Sequence, residues 1–145
     1  MRKSSFAAFS FAATAALAQD FPPPDLSGNS PFWIRDPRSG CFAGNPFPAP
    51  GESIQWTGGC ENGLLSGEGT LTWYAGRRIV ARDVGTFVGG ILSGHGRIMS
   101  VDGWSFEGEF PGTGVYTFPD GRQTPAQTLR EPSGWRVEEI RQPAP

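Results

Sequence analysis

The spacing of glycine between Trp56 and Gly121 constrains this chain more than any other feature. Gly67-Glu68-Gly69, Gly94-His95-Gly96 and Gly112-Thr113-Gly114 are each followed, seven residues after the second glycine, by another: Gly76, Gly103 and Gly121. Recurrence at such a period marks a repeat architecture. With Trp56, Asp83 and Phe106 as starts, glycine returns two residues on at Gly58, Gly85 and Gly108. It returns seven on at Gly63 and Gly90. Four residues on stand Cys60, Phe87 and Phe110. The first copy carries extra residues near Ile79 to Arg82, and the third is short between Phe110 and Gly112, where its tight turn belongs.

Each copy reads as a β-hairpin. Residues 54–60 alternate, and Glu61-Asn62-Gly63 carries an Asn-Gly turn signal. Residues 69–74 alternate again, with Leu71 and Trp73 on one face and Thr70 and Thr72 on the other. In register, Leu71, Ile98 and Tyr116 form one column, and Trp73, Ser100 and Phe118 the next. A lone hairpin cannot bury such columns, whereas stacked hairpins can. Glycine at the paired positions lets a ring pass close over the neighbouring backbone. The expected fold is all-β: a meandering antiparallel sheet of three hairpins (56–78, 83–105 and 106–123), with no long helix.

The pattern aromatic-x-Gly-x-aromatic, then Gly-x-x-x-Gly-x-Gly, then a closing Asp-Gly, resembles the MORN repeat. Trp56-Thr57-Gly58, Gly63, Gly67-Glu68-Gly69 and Gly76 carry the first copy. Gly85-Thr86-Phe87, Gly90, Gly94-His95-Gly96 and Asp102-Gly103 carry the second. Phe106 to Phe110, Gly112-Thr113-Gly114 and Asp120-Gly121 carry a truncated third. Two positions depart: Cys60 replaces the second ring of copy one, and Asp83 the first ring of copy two. The resemblance implies a non-catalytic protein-binding or scaffolding module, with contact to lipid surfaces as a further family trait. Residues 40–55, from Cys41 through Asn45-Pro46 and Pro50-Gly51-Glu52, resemble the segment ahead of the repeats in exported bacterial proteins of this type.

Residues 1–18 have the features of a secretory signal: Arg2 and Lys3, an apolar run from Phe6 to Leu17, and Ala16-Leu17-Ala18 before Gln19. Cleavage after Ala18 is expected, placing the protein in the periplasm or outside the cell. No other segment is long and apolar enough to be a membrane span. Without Arg2 and Lys3, ten of the twelve basic residues remain against fourteen acidic ones, and all ten are arginine. A mildly acidic chain of this kind is unsuited to nucleic acid and to electrostatic capture by anionic lipid. Cys41 and Cys60, an even pair in an exported chain, point to one disulfide. A metal site is not expected, because two thiols and one distant histidine lack a ligand set. No cofactor motif appears.

Residues 19–39 are a Pro-rich extended linker with polyproline II bias, in which Phe32-Trp33-Ile34 is an apolar cluster suited to docking. Residues 40–55 form a cap without regular structure, tied by Cys41 across the end of the stack. After Gly121 the pattern stops. Residues 124–145 hold polar chain, one edge strand at Trp135 to Ile140, and a frayed tail.

Chemistry is sparse. His95, Glu107 and Glu109 are the candidates for a small envelope hydrolase or glycan-active enzyme, since paired carboxylates do acid–base work on glycosides. Yet Glu107 and Glu109 alternate with Phe106, Gly108 and Phe110, as the polar face of an amphipathic strand does. No nucleophile elbow surrounds Ser93 or Ser105. Arg77, Arg78 and Arg82 suit an anion or a lipid surface, but a solvated strand face balanced by Asp83 accounts for them. Trp56, Trp73, Tyr74 and Trp104 either line a face that grips a protein partner or form the core. A chain this small needs its large rings buried, which favours the core.

Overall fold

The computed structural model describes residues 21–140. The expected signal segment, its expected cleavage site and the last five residues lie outside them. The described residues form eleven strands and no helix, so none contains a helix long and apolar enough to cross a membrane. The strands are β1 (Trp33–Arg35), β2 (Phe42–Gly44), β3 (Glu52–Trp56), β4 (Gly59–Glu61), β5 (Leu64–Ala75), β6 (Arg78–Val88), β7 (Ile91–Ser100), β8 (Ser105–Phe110), β9 (Gly112–Thr117), β10 (Gln123–Glu131) and β11 (Gly134–Glu139). They make one open, curled sheet in the order β1-β2-β5-β6-β7-β8-β9-β10-β11, with β3 and β4 both paired to β5.

The repeat glycines set this register. Gly69 lies opposite Gly85, Gly85 opposite Gly96, Gly96 opposite Gly108, and Gly108 opposite Gly114. Two residues away on the same face runs a second row: Trp56, Leu71, Asp83, Ile98, Phe106 and Tyr116. The column of Leu71, Ile98 and Tyr116 is therefore present. Large side chains from this face fold over the bare glycine row. A Cβ on Gly58 or Gly69 would strike the Trp56 ring at 2.4 and 2.6 Å, and one on Gly108 or Gly114 would strike Phe106 at 2.9 and 2.8 Å. In the middle repeat Asp83 offers no ring, and Leu92 covers Gly85 and Gly96 instead. Ile54, Trp56, Leu65, Leu71, Phe106 and Phe110 are almost completely buried here.

Turns follow local chemistry. Asn62 and Gly63 have φ of 54° and 80°, the left-handed pair that a two-residue hairpin turn requires. Gly89 and Gly90 repeat this at 60° and 83°. The extra residues of the first copy lengthen β5 and β6 to twelve and eleven residues, closed at Gly76-Arg77. In the short third copy Pro111 alone separates β8 from β9. The buried Thr128 hydroxyl braces that connection, accepting from Gly112 N at 3.0 Å and donating to the Glu109 carbonyl at 2.9 Å.

Three sequence expectations are corrected at the flanks. Residues 19–39 are not wholly a linker: β1 pairs with β2, and Trp33 packs with Phe42 and Ile91 in a second small core. Residues 40–55 are not irregular throughout, since they contain β2 and the start of β3. Beyond Gly121 there are two strands, not one. β10 continues the meander from β9, and β11 pairs back onto β10. Pro125 is accommodated because its missing N–H lies on the side where β11 ends, where Ile140 N reaches the Pro125 carbonyl at 3.0 Å.

Cys41 and Cys60 form a disulfide with Cα atoms 6.1 Å apart, tying the segment ahead of β2 to β4. It closes a loop of 19 residues in sequence separation. Replacing Cys41 by serine is expected to lower stability by about 3 kcal/mol, through the larger entropy of the uncrosslinked unfolded chain. Urea unfolding of the oxidised protein and the variant measures this, and a loss below about 1 kcal/mol would count against that cap function.

Candidate functional site

The curl brings the two ends of the sheet together over its concave face. Gly44 passes so close to the β10–β11 turn that a Cβ there would lie 2.0 Å from the Ser133 carbonyl oxygen. Trp135 of β11 donates from Nε1 to the Leu92 carbonyl at 2.8 Å, forty-three residues away, and its ring meets Phe110 edge-on at 5.8 Å. The half-open cavity between the two ends has a volume of about 700 Å³. Its walls are largely apolar and include Trp73, Ile98, Trp104, Tyr116 and Trp135. Trp104 stacks on Tyr116 at 5.6 Å with planes 15° apart.

One carboxyl group stands on this apolar row. Asp83 occupies the position that Trp56 and Phe106 fill in the neighbouring repeats, and it lines the cavity. Trp73 Nε1 donates to its Oδ2 at 3.1 Å. Oδ1 has no partner among the described residues, and it is not sealed off, since none of their buried side-chain polar atoms is left unpartnered. Burial pushes the Asp83 carboxyl up to about 7, and the Trp73 hydrogen bond opposes the rise. The expectation that Asp83 balances the arginines is corrected. Strand alternation puts Arg82 on the opposite face, and Arg77 and Arg78 are exposed at the β5–β6 turn and the start of β6.

The four rings named from the sequence divide. Trp56 is core, 4% exposed. Trp73 and Trp104 line the cavity. Tyr74 lies on the convex face, where its hydroxyl bonds Gln55 at 3.0 Å. The residues that sequence reasoning missed are Asp83, Tyr116 and Trp135. For Asp83 a signal was present: a carboxylate at an inward position of the repeat. For Trp135 there was none, because its place depends on a contact with Leu92 across the fold.

His95, Glu107 and Glu109 do come together, but on the convex face. His95 Nδ1 lies 2.9 Å from Glu109 and Nε2 lies 3.2 Å from Glu107, and all three side chains are more than half exposed. The hydrogen bond to Glu109, then that to Glu107, raises the His95 pKa. Each ring nitrogen faces a carboxylate, which favours the protonated imidazolium donating from both. The carboxylates flank the ring from opposite sides, and none of the three residues lines the concave cavity. Among the described residues no group of three or more His, Cys, Asp or Glu side chains is arranged to hold a metal.

Residues 56–76, 84–105 and 106–121 match the family model of the MORN repeat. Comparisons with curated proteins and with solved structures return no match.

Proposed function

We propose that this MORN-repeat protein is a non-catalytic binding module of the bacterial envelope, receiving its partner on the concave face of its curled sheet. The observation that carries this reading is the cavity itself. Each repeat contributes to its wall, and both flanking segments line it. Concave, largely apolar sites with a few placed polar groups are the usual form of a binding site. MORN repeats fit a binding or scaffold-type role. Export is supported by the character of residues 1–18 and by the disulfide.

A photo-crosslinking residue tests this in cells making the full chain. Placed at Trp104, it should give a covalent product on illumination; placed at Tyr74, on the convex face, it should not. The recovered chain should begin at Gln19. Products of equal yield from both sites, or none from Trp104, would overturn the concave-face reading, and an intact Met1 would overturn export.

A further inference from the structure

We infer that the concave cavity is a site for a protonated amine on an apolar stem, with the ammonium group set on Asp83 and the stem between Trp73, Trp104 and Tyr116. This rests on the concave-face reading and gives it a ligand class. A carboxylate on the inner row of an apolar sheet is unfavourable unless something compensates its charge. The protein offers one neutral donor, Trp73 Nε1. Other ionisable side chains lining the cavity are Glu52, Tyr116 and Arg136. Glu52 is engaged by Asn45 Nδ2 and Ala49 N, and Arg136 by Glu131 and Glu138. No salt bridge is formed by Asp83 among the described residues. An open Oδ1 in a cavity with aromatic walls is complementary to a cation: the carboxylate supplies the opposite charge and the ring faces supply further attraction. The volume of about 700 Å³ admits the stem as well as the head group.

A proton exchange follows. Near and below pH 7 part of the empty protein holds Asp83 protonated. An ammonium ion binding beside it favours the ionised form, so the carboxyl O–H breaks and its proton passes to solvent. A neutral ligand would release none. Glu52 and Arg136, the other charged side chains on the wall, are already paired within the protein.

The experiment is titration calorimetry of the oxidised protein at pH 6, in two buffers of different ionisation enthalpy, with hexylamine, 1-hexanol and hexanoate as probes. Hexylamine should bind about 10- to 100-fold more tightly than hexanol, with proton release, and hexanoate should bind worst. Asp83→Asn should remove the preference and the proton release while leaving hexanol binding intact, which also reports that the cavity is still formed. A lysine-bearing peptide and its acetyl-lysine counterpart distinguish a side chain of a partner from a free amine. Hexylamine binding no tighter than hexanol, or binding unaffected by Asp83→Asn, would overturn the inference. If crosslinking from Trp104 nevertheless succeeds, the concave-face reading stands and only its ligand class falls.

Discussion

Asp83→Asn is expected to stabilise the protein at pH 8 by on the order of 2–4 kcal/mol and to remove a pH dependence that the native protein shows. The sign follows from linkage. In the folded protein the Asp83 carboxyl titrates near 7, and in the unfolded chain near the ordinary value of about 3.9. Between those values the folded state holds a proton that the unfolded state has released. Stability therefore falls as pH rises through that window, by at most ~1.4 kcal/mol per pH unit. The contribution is fully present below about pH 4 and lost once the pH has passed 7. The upper end of the range assumes a carboxyl fully shielded from water. Asp83 is only half-buried, and access through the cavity mouth lowers the figure. Asparagine suits the test because its side-chain oxygen can still accept from Trp73 Nε1. Urea unfolding of both proteins from pH 4 to 8 isolates the group by difference, removing the shared contributions of His95 and the surface carboxylates. Equal stabilities at pH 8, or parallel pH profiles, would show that Asp83 is not buried against its charge. A gain in stability with a loss of amine binding is the trade expected of a residue kept for a ligand.

How far the fold could be read from the chain depended on whether its cause was local. Asn62-Gly63 and Gly89-Gly90 close two-residue turns on their own backbone preferences, and the first was legible as a turn. The opposition of Gly85 and Gly96 was legible because the interval between Gly58 and Gly69 recurs there. The cysteine pair needed only a count and a compartment. β10 was not legible. Its sequence, Gln-Thr-Pro-Ala-Gln-Thr-Leu-Arg-Glu, buries only Ala126 and Thr128, so no apolar alternation marks it, and its strand form comes from pairing with β9 and β11. β1 and β2, three residues each, likewise depend on each other and on Ile91 beneath them. The cavity was half legible. Trp73 and Trp104 were singled out, but Asp83 was read from its neighbours in sequence, where the arginines are. Strand alternation separates it from Arg82 and sets it among rings.

The other large effect is expected at the glycine row, where Gly114→Ala should destabilise by on the order of 4 kcal/mol or more. Gly114 lies directly opposite Gly108. A Cβ on Gly114 would sit 2.2 Å from the Glu107 carbonyl oxygen, 2.6 Å from Gly108 Cα and 2.8 Å from the Phe106 ring. Two of these neighbours are backbone held in a ladder, so they can yield only if β8 and β9 separate. That would disturb Phe106, which is 0% exposed and packs edge-on against Phe110 at 5.5 Å. Gly94→Ala is the control. Gly94 has φ of 77° but nothing within 4 Å of a Cβ, so the substitution meets only the left-handed backbone penalty of about 1 kcal/mol. The contrast separates two uses of glycine that look alike in the repeat. A third variant separates the ring from the backbone beneath it. If Phe106 were the sole obstacle, Phe106→Ala would absorb most of the Gly114→Ala cost in a double-mutant cycle. With a carbonyl oxygen at 2.2 Å, most of the cost should remain in the Phe106→Ala background. Should Gly114→Ala prove no worse than Gly94→Ala in urea unfolding, close approach of β8 to β9 would not be what requires the glycine, and the account of the repeat as rings over bare, paired backbone would fail with it.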